Sequence, residues 1–169
     1  MRCTFCIHHK SYYRYRARSP EKVVSDIREL QKKYNAHYFQ FADEMIHPRT
    51  FNQLSEEILK QGLDIRFYSS VKPTRDFTSD LLAKMYDAGA RVLMWGVESG
   101  TQRILDLIDK GTTVPDIEKV LKDSSHAGIW NMVFMIMGYP TQTEQEVEGD
   151  MRFLERNQQY IGTAAKSLF

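Results

Sequence analysis

Cys3 and Cys6 are the only two thiols in a chain of 169 residues, and they stand at C-x-x-C spacing. Thiolates so placed can converge on one metal ion, close a redox disulfide, or supply two ligands of an iron-sulfur cluster. Spacing alone does not choose, but context separates the three. A redox pair leads directly into a helix. Here Ile7-His8-His9-Lys10-Ser11-Tyr12-Tyr13 follows, and the first convincing helix start is Ser19-Pro20-Glu21. A structural zinc site needs two further ligands. His8 and His9 crowd Cys6 too closely for the usual finger spacing, and His126 and the other histidines are scattered. Cluster ligation is the reading best supported, with one difficulty: a cubane cluster takes at least a third cysteine, and the chain has none.

Further polar groups fall where short apolar runs end: Asp43 and Glu44; Ser69, Ser70 and Lys72; Glu98 and Ser99; and Gly138. The runs themselves alternate with amphipathic stretches. Ser19 reads as an N-cap with Pro20 at the first helical position, and Val23, Val24, Ile27, Leu30 and Tyr34 recur at helical spacing. His37 to Ala42 reads as a strand. A helix from Pro48 carries Phe51, Leu54, Ile58 and Leu59, and Ile65 to Ser70 is the next strand. Thr78 caps a helix with Leu81, Leu82, Met85 and Tyr86 that leads to the buried strand Val92 to Val97. Thr113 with Asp116, and Thr143 with Glu146, resemble capping boxes. Between them lies the most hydrophobic strand, Asn131 to Met137, and after them Val147, Met151 and Leu154 mark an inward face. Thr163 to Phe169 begins one more strand. Strands alternating with helices imply a parallel sheet, whose chemistry collects at the carboxyl ends of the strands. The first strand is expected just before Cys3, which brings the cysteines to the same mouth.

Composition bounds the alternatives. With 42% hydrophobic and 27% charged residues, the chain fits one soluble globular domain with a real core. A net charge of +1 gives no global pull toward nucleic acid or anionic membrane. No run approaches a membrane span, and no signal peptide precedes the cysteines. A reducing cytoplasm is the expected compartment. From Lys10 to Arg18, four basic residues interleave with Tyr12, Tyr13 and Tyr15, a composition able to stack on nucleic acid. No matching basic stripe follows, so a solvated loop is the favoured reading and nucleic acid is not expected as a partner.

In order and spacing together these residues resemble the core of a radical S-adenosylmethionine enzyme, in the group that includes cobalamin-binding members and methylthiotransferases. Cys3-Thr4-Phe5-Cys6 is similar to the second half of the family's C-x-x-x-C-x-φ-C signature. Phe41-Ala42-Asp43-Glu44 resembles its second-strand motif, and Trp95-Gly96-Val97-Glu98-Ser99-Gly100 its fourth-strand motif. Lys110 stands where the family has a basic residue, and Met137-Gly138-Tyr139-Pro140 resembles its fifth-strand motif. The resemblance spans nearly the whole chain.

It implies a partial (β/α)6 TIM-like barrel occupying residues 1–169 as one core domain. The first strand is then missing or incomplete, and the first cluster cysteine lies two positions before Met1. The implied cofactors are a 4Fe-4S cluster and S-adenosylmethionine, with cobalamin in a preceding domain of the full-length protein as an extension. Cys3 and Cys6 would be metal ligands. Phe5, Met137 and Gly138 would flank the adenine. Ala42, Asp43 and Glu44 would meet the methionine ammonium, with Ser70 at the neighbouring strand end. Glu98 and Ser99 would bind ribose or methionine polar groups, and Lys110 the methionine carboxylate. The implied activity is generation of a 5'-deoxyadenosyl radical that abstracts hydrogen from an unidentified small-molecule or peptide substrate. A flavodoxin or ferredoxin type donor would supply the electron, no membrane would be involved, and the chain as given is expected to be inactive. Two other classes stay open at this stage. One is a non-catalytic adenosylmethionine or nucleotide-binding module; the other is a zinc or RNA-binding protein using the C-x-x-C pair and the Tyr/Arg segment.

Overall fold

The computed structural model describes residues 3–7, 16–43 and 45–169. His8, His9, the 10–15 part of the Tyr/Arg segment and Glu44 lie outside the described residues. Helix α1 (Pro20–Tyr34) starts as its sequence dictates: the Ser19 side chain accepts from Lys22 N and proline follows the cap. Its apolar face is shorter than the periodicity predicts. Val24 and Ile27 are buried, whereas Leu30 and Tyr34 are exposed. Strand β1 (Tyr38–Phe41) leads to α2 (Pro48–Lys60), and β2 (Arg66–Val71) to α3 (Ser79–Asp87). Strand β3 (Ala90–Glu98) is followed by two helices, α4 (Gln102–Leu107) and α5 (Val114–His126). Strand β4 (Trp130–Met137), α6 (Glu144–Asn157), a single 3-10 turn and β5 (Thr163–Leu168) complete the order.

The five strands form one sheet in the order β1-β2-β3-β4-β5, every neighbouring pair parallel. Sequential parallel neighbours joined by helical crossovers are the (β/α) unit of a TIM-like barrel. Helix α1 packs on α2, α2 on α3, α3 on α5, and α5 on α6, so the helices line one side of the sheet. The strand residues facing them are the core: Phe67 and Val71, Leu93, Trp95 and Val97, Val133 and Met135. An aromatic chain crosses it, with Phe41 against Phe67, Phe51 between Phe67 and Phe77, and Phe77 edge-on to Trp95. Trp95 also donates its indole N–H to Asn131 Oδ1 at 2.7 Å, which satisfies both buried polar groups.

The alternate strand residues, among them Met94, Met132, Phe134 and Ile136, are only half-buried. The expectation that a parallel strand such as β4 is buried on both faces therefore holds for the helix-covered face alone. The second capping box is present in full at Thr143 and Glu146. The first is half made: the Thr113 hydroxyl accepts from Asp116 N, but the Asp116 carboxylate bonds that hydroxyl and not the cap's backbone N–H. Aspartate is one methylene shorter than the glutamate the reciprocal bond uses. Helix α6 is rotated from its predicted face. Met151 is exposed, and Asp150, Phe153 and Asn157 point inward. Among the described residues no helix is long and apolar enough to cross a membrane.

Candidate functional site

The cysteine segment is fastened to the carboxyl end of the sheet. Thr4 N donates to Ile108 O at 3.0 Å, just past α4. The Thr4 hydroxyl lies 2.8 Å from the Tyr139 hydroxyl in the turn after β4. Cys6 N donates to Cys3 O at 3.1 Å, closing a tight turn that keeps both thiols on one loop. Both cysteines are free, Cys3 buried and Cys6 half-buried. Phe5, between them, packs on the core.

The same end carries an acid-base pair built by strand geometry. The β3 and β4 registers slip between Gly96 and Glu98, and Glu98 takes a left-handed backbone, φ 69°. A bulge with a strained residue re-aims a side chain. Here it turns the Glu98 carboxylate to Lys110 Nζ, 2.8 Å away, with only 4% of the lysine and 12% of the glutamate side chain exposed. The pair lies across Gly96. A Cβ there would come within 2.7 Å of Glu98 Oε1 and 3.0 Å of Lys110 Nζ, so any side chain before the bulge would push both charged tips aside. Lys110 is held by its own turn, its N–H donating to Leu105 O between Asp109 and Gly111, both at positive φ.

Ser70 stands half-buried at the end of β2, and Lys72 follows it. Burial pushes the Lys72 ammonium below its usual value, against an opposing pull from Cys3. Ala42 and Asp43 are exposed beyond β1. Met137 and Gly138 end β4, with Gly138 at φ 77° and open space where a Cβ would stand. Ser99 is fully buried and donates to Asp150 at 2.6 Å. The structure thus gathers Cys3, Cys6, Phe5, Glu98, Ser99, Lys110, Met137 and Gly138 around the ends of β3 and β4, with Ser70 one strand away and Ala42 and Asp43 at the edge strand.

Sequence reasoning passed over Asp150 and Gln142. The Asp150 carboxylate also accepts from Gly100 N at 2.6 Å and Gln142 Nε2 at 2.8 Å. Gln142 Oε1 in turn accepts from Gly138 N at 2.8 Å and Tyr139 N at 3.3 Å. Burial pushes the Asp150 carboxyl up, and its bonds from Ser99, Gly100, Gln142 and Thr101 oppose the shift. A signal was available: Asp150 is three residues from Val147 and three from Phe153, a charged residue on the apolar stripe of its own helix.

Two free thiols on one turn are the soft donors that iron takes, and the set fits an iron-sulfur cluster as two of its thiolates. Among the described residues no group of three histidine, cysteine or acidic side chains gathers to hold another kind of metal ion. Glu98 paired with Lys110 beside a glycine floor offers one charge of each sign, which suits the zwitterionic methionine end of adenosylmethionine.

The chain is 27% identical over 157 residues to an uncharacterized methyltransferase of Pyrococcus horikoshii, covering 91% of this chain and 34% of that protein. It is 29% identical over 149 residues to the anaerobic magnesium-protoporphyrin IX monomethyl ester cyclase of Rubrivivax gelatinosus, covering 86% and 27%. The chain therefore spans about a third or less of the length of these relatives. The fold is that of the radical S-adenosylmethionine methyltransferase TsrM from Kitasatospora setae, solved with cobalamin and a [4Fe-4S] cluster: TM-score 0.81, 22% identity, 99% of this chain and 32% of that one. It is also that of the cobalamin-dependent S-adenosylmethionine radical enzyme OxsB, with TM-score 0.78, 24% identity and coverage of 92% and 25%. The model of the Radical SAM superfamily matches residues 1–154, and with that match running from the cysteine turn into α6, the protein belongs to the Radical SAM superfamily.

Proposed function

We propose that this chain is the catalytic core of a radical S-adenosylmethionine enzyme, in which Cys3 and Cys6 hold a 4Fe-4S cluster and the ends of β3 and β4 hold adenosylmethionine. The observation that carries the reading is the fastening of the cysteine turn to Ile108 O and the Tyr139 hydroxyl, beside the Glu98–Lys110 pair. When bound, these cofactors supply one-electron cleavage of a carbon-sulfur bond and a carbon radical able to take hydrogen from a substrate. The residues of the chain bind, orient and exclude water. Lys110 is the partner for the methionine carboxylate, and Glu98 for the ribose hydroxyls or the ammonium. The Ala42–Asp43–Glu44 segment is the second partner for the ammonium, with Ser70 beside it. Phe5, Met137 and Gly138 border the adenine, and Ser99, fully buried with its hydroxyl on Asp150, holds the bend that follows Glu98 in place of the direct contact expected of it. The chain supplies two thiolates, so cluster coordination on it is completed from elsewhere. On its own it is expected to assemble cluster substoichiometrically and to form little 5'-deoxyadenosine. A methyl transfer, as in the name of the relative from Pyrococcus horikoshii, is the favoured reaction for the whole protein, with cobalamin as a further cofactor and a small reducing protein as electron donor.

Anaerobic reconstitution with iron and sulfide, with and without a small thiol as additional ligand, tests the cluster by its visible absorbance. Calorimetry then tests the site. Glu98→Ala should weaken adenosylmethionine by roughly 1.5–3 kcal/mol, the worth of a hydrogen bond to a charged group. Unchanged affinity removes Glu98 from the site, and one tight zinc per chain in place of iron overturns the cluster reading.

A further inference from the structure

A buried carboxylate in the middle of a helix is an expensive way to fill space, and Asp150 is fully buried within α6. Its two oxygens serve different loops. Oδ1 accepts from Ser99 Oγ and Gly100 N, both at 2.6 Å, and from Thr101 Oγ1 at 3.4 Å. Oδ2 accepts from Gln142 Nε2 at 2.8 Å. Gln142 passes the contact on: its Oε1 takes the N–H groups of Gly138 and Tyr139. One side chain thereby ties down the bend after β3 and, at one remove, the turn after β4.

We propose that Asp150 and Gln142 form a positioning relay that fixes the Ser99–Gly100 bend against the Gly138–Tyr139 turn and so sets the width of the adenosylmethionine site between them. The inference rests on the reading of those two segments as walls of that site.

Three features favour positioning over packing. The partners that receive the relay are backbone N–H groups in non-repetitive segments, which the sheet and helices leave without acceptors. The direction of every bond requires an acceptor-only group at the centre, which is an ionised carboxylate. Burial also pushes the Asp150 carboxyl up despite its bonds, and a carboxyl raised in the folded state contributes less stability as pH rises through its folded value. The ionised form is therefore held at a cost to stability, and what it returns is a fixed geometry.

The relay has a polarity that mutation can reverse. In D150N the new amide oxygen still serves Ser99 and Gly100, but its NH2 faces Gln142 Nε2, donor against donor. Turning the Gln142 amide over only moves the conflict to Gly138 and Tyr139. In D150N combined with Q142E, the amide NH2 meets one oxygen of the new carboxylate, and the other oxygen accepts from Gly138 and Tyr139. Every bond is restored with the charge displaced by one residue, which a filler role does not require.

The test is amide hydrogen exchange by NMR on the chain without cofactors, paired with calorimetric titration of adenosylmethionine into the cluster-reconstituted protein. D150N should lower protection at Gly138 and Tyr139, neither of which touches residue 150, by about tenfold, the scale of one lost buried hydrogen bond. It should weaken adenosylmethionine by a similar factor, and the D150N/Q142E double variant should recover most of both. Q142L leaves the buried carboxylate in place and should weaken adenosylmethionine in the same way; it decides the matter if D150N does not fold. Unchanged protection in D150N, no recovery in the double variant, or equal affinity in all variants overturns the relay as the device that sets the site. If the exchange pattern appears as expected but the unmutated protein takes up no adenosylmethionine, the relay stands and the reading of the site falls.

Discussion

Lys110→Met isolates the electrostatics at the mouth. The Lys110 ammonium is 2.8 Å from Glu98 Oε1, and the two side chains retain 4% and 12% of their exposure. Methionine keeps the aliphatic stem, so the change removes one charge and leaves the other where little water reaches it. An uncompensated charge of this kind costs about 3–5 kcal/mol. For a chain of this length each kcal/mol moves Tm by about 2–4 °C, so K110M should melt roughly 6–20 °C lower. Glu98→Gln combined with K110M removes both charges and should recover much of the loss, leaving an interaction energy of about 2 kcal/mol or more in the double-mutant cycle. Urea unfolding of the four proteins, followed by far-UV circular dichroism, measures it. Two results would refute the reasoning: a loss below about 1 kcal/mol in K110M, the level of an exposed pair, or strict additivity of the two substitutions.

Two other outcomes can be checked in the same apparatus. Arg103 and the backbone N–H of Thr143 hold the Glu146 carboxyl down from 4.5 to about 2. Because the folded value lies below the unfolded one, the stability from Glu146 is present above pH 4.5 and drains away as pH falls toward 2. The urea midpoints of the unmutated protein and Glu146→Gln should accordingly differ at neutral pH and converge at the acid end of that window. Gly100→Ala and Gly138→Ala should fail for different reasons. A Cβ on Gly100 collides with Phe153, coming within 2.6 Å of its Cγ, and should cost about 1–3 kcal/mol or more by overpacking. A Cβ on Gly138 meets nothing within 4 Å but sits at φ 77°, and should cost only the backbone penalty of about 1–2 kcal/mol.

The order of elements was legible because four of the helices carry a serine or threonine side-chain cap at their start. Ser19, Thr78, Thr113 and Thr143 all cap as their positions predict. Glu98 and Gly138 were legible as strand-end residues, since a parallel sheet puts every such end on one rim. The partner of Lys110 was not, because it depends on the bulge at Val97 and the left-handed backbone at Glu98, which no local pattern announces. Asp150 was hidden for a different reason. Periodicity placed Val147, Met151 and Leu154 on the inward face and passed over the aspartate, whereas loops from two other strands supply the hydrogen bonds that make its burial possible.

The two tryptophans divide the sheet between an inner and an outer optical reporter. Trp95 is sealed in the core edge-on to Phe77, while Trp130, on the neighbouring strand, is 55% exposed. Iodide therefore reaches one and not the other, and quenching Trp130 leaves an emission that belongs to Trp95 alone. That indole immediately precedes Gly96, the floor under the Glu98–Lys110 pair. With iodide present, the intrinsic light of the protein becomes a label-free gauge of the packed, helix-covered face of the sheet that backs that rim.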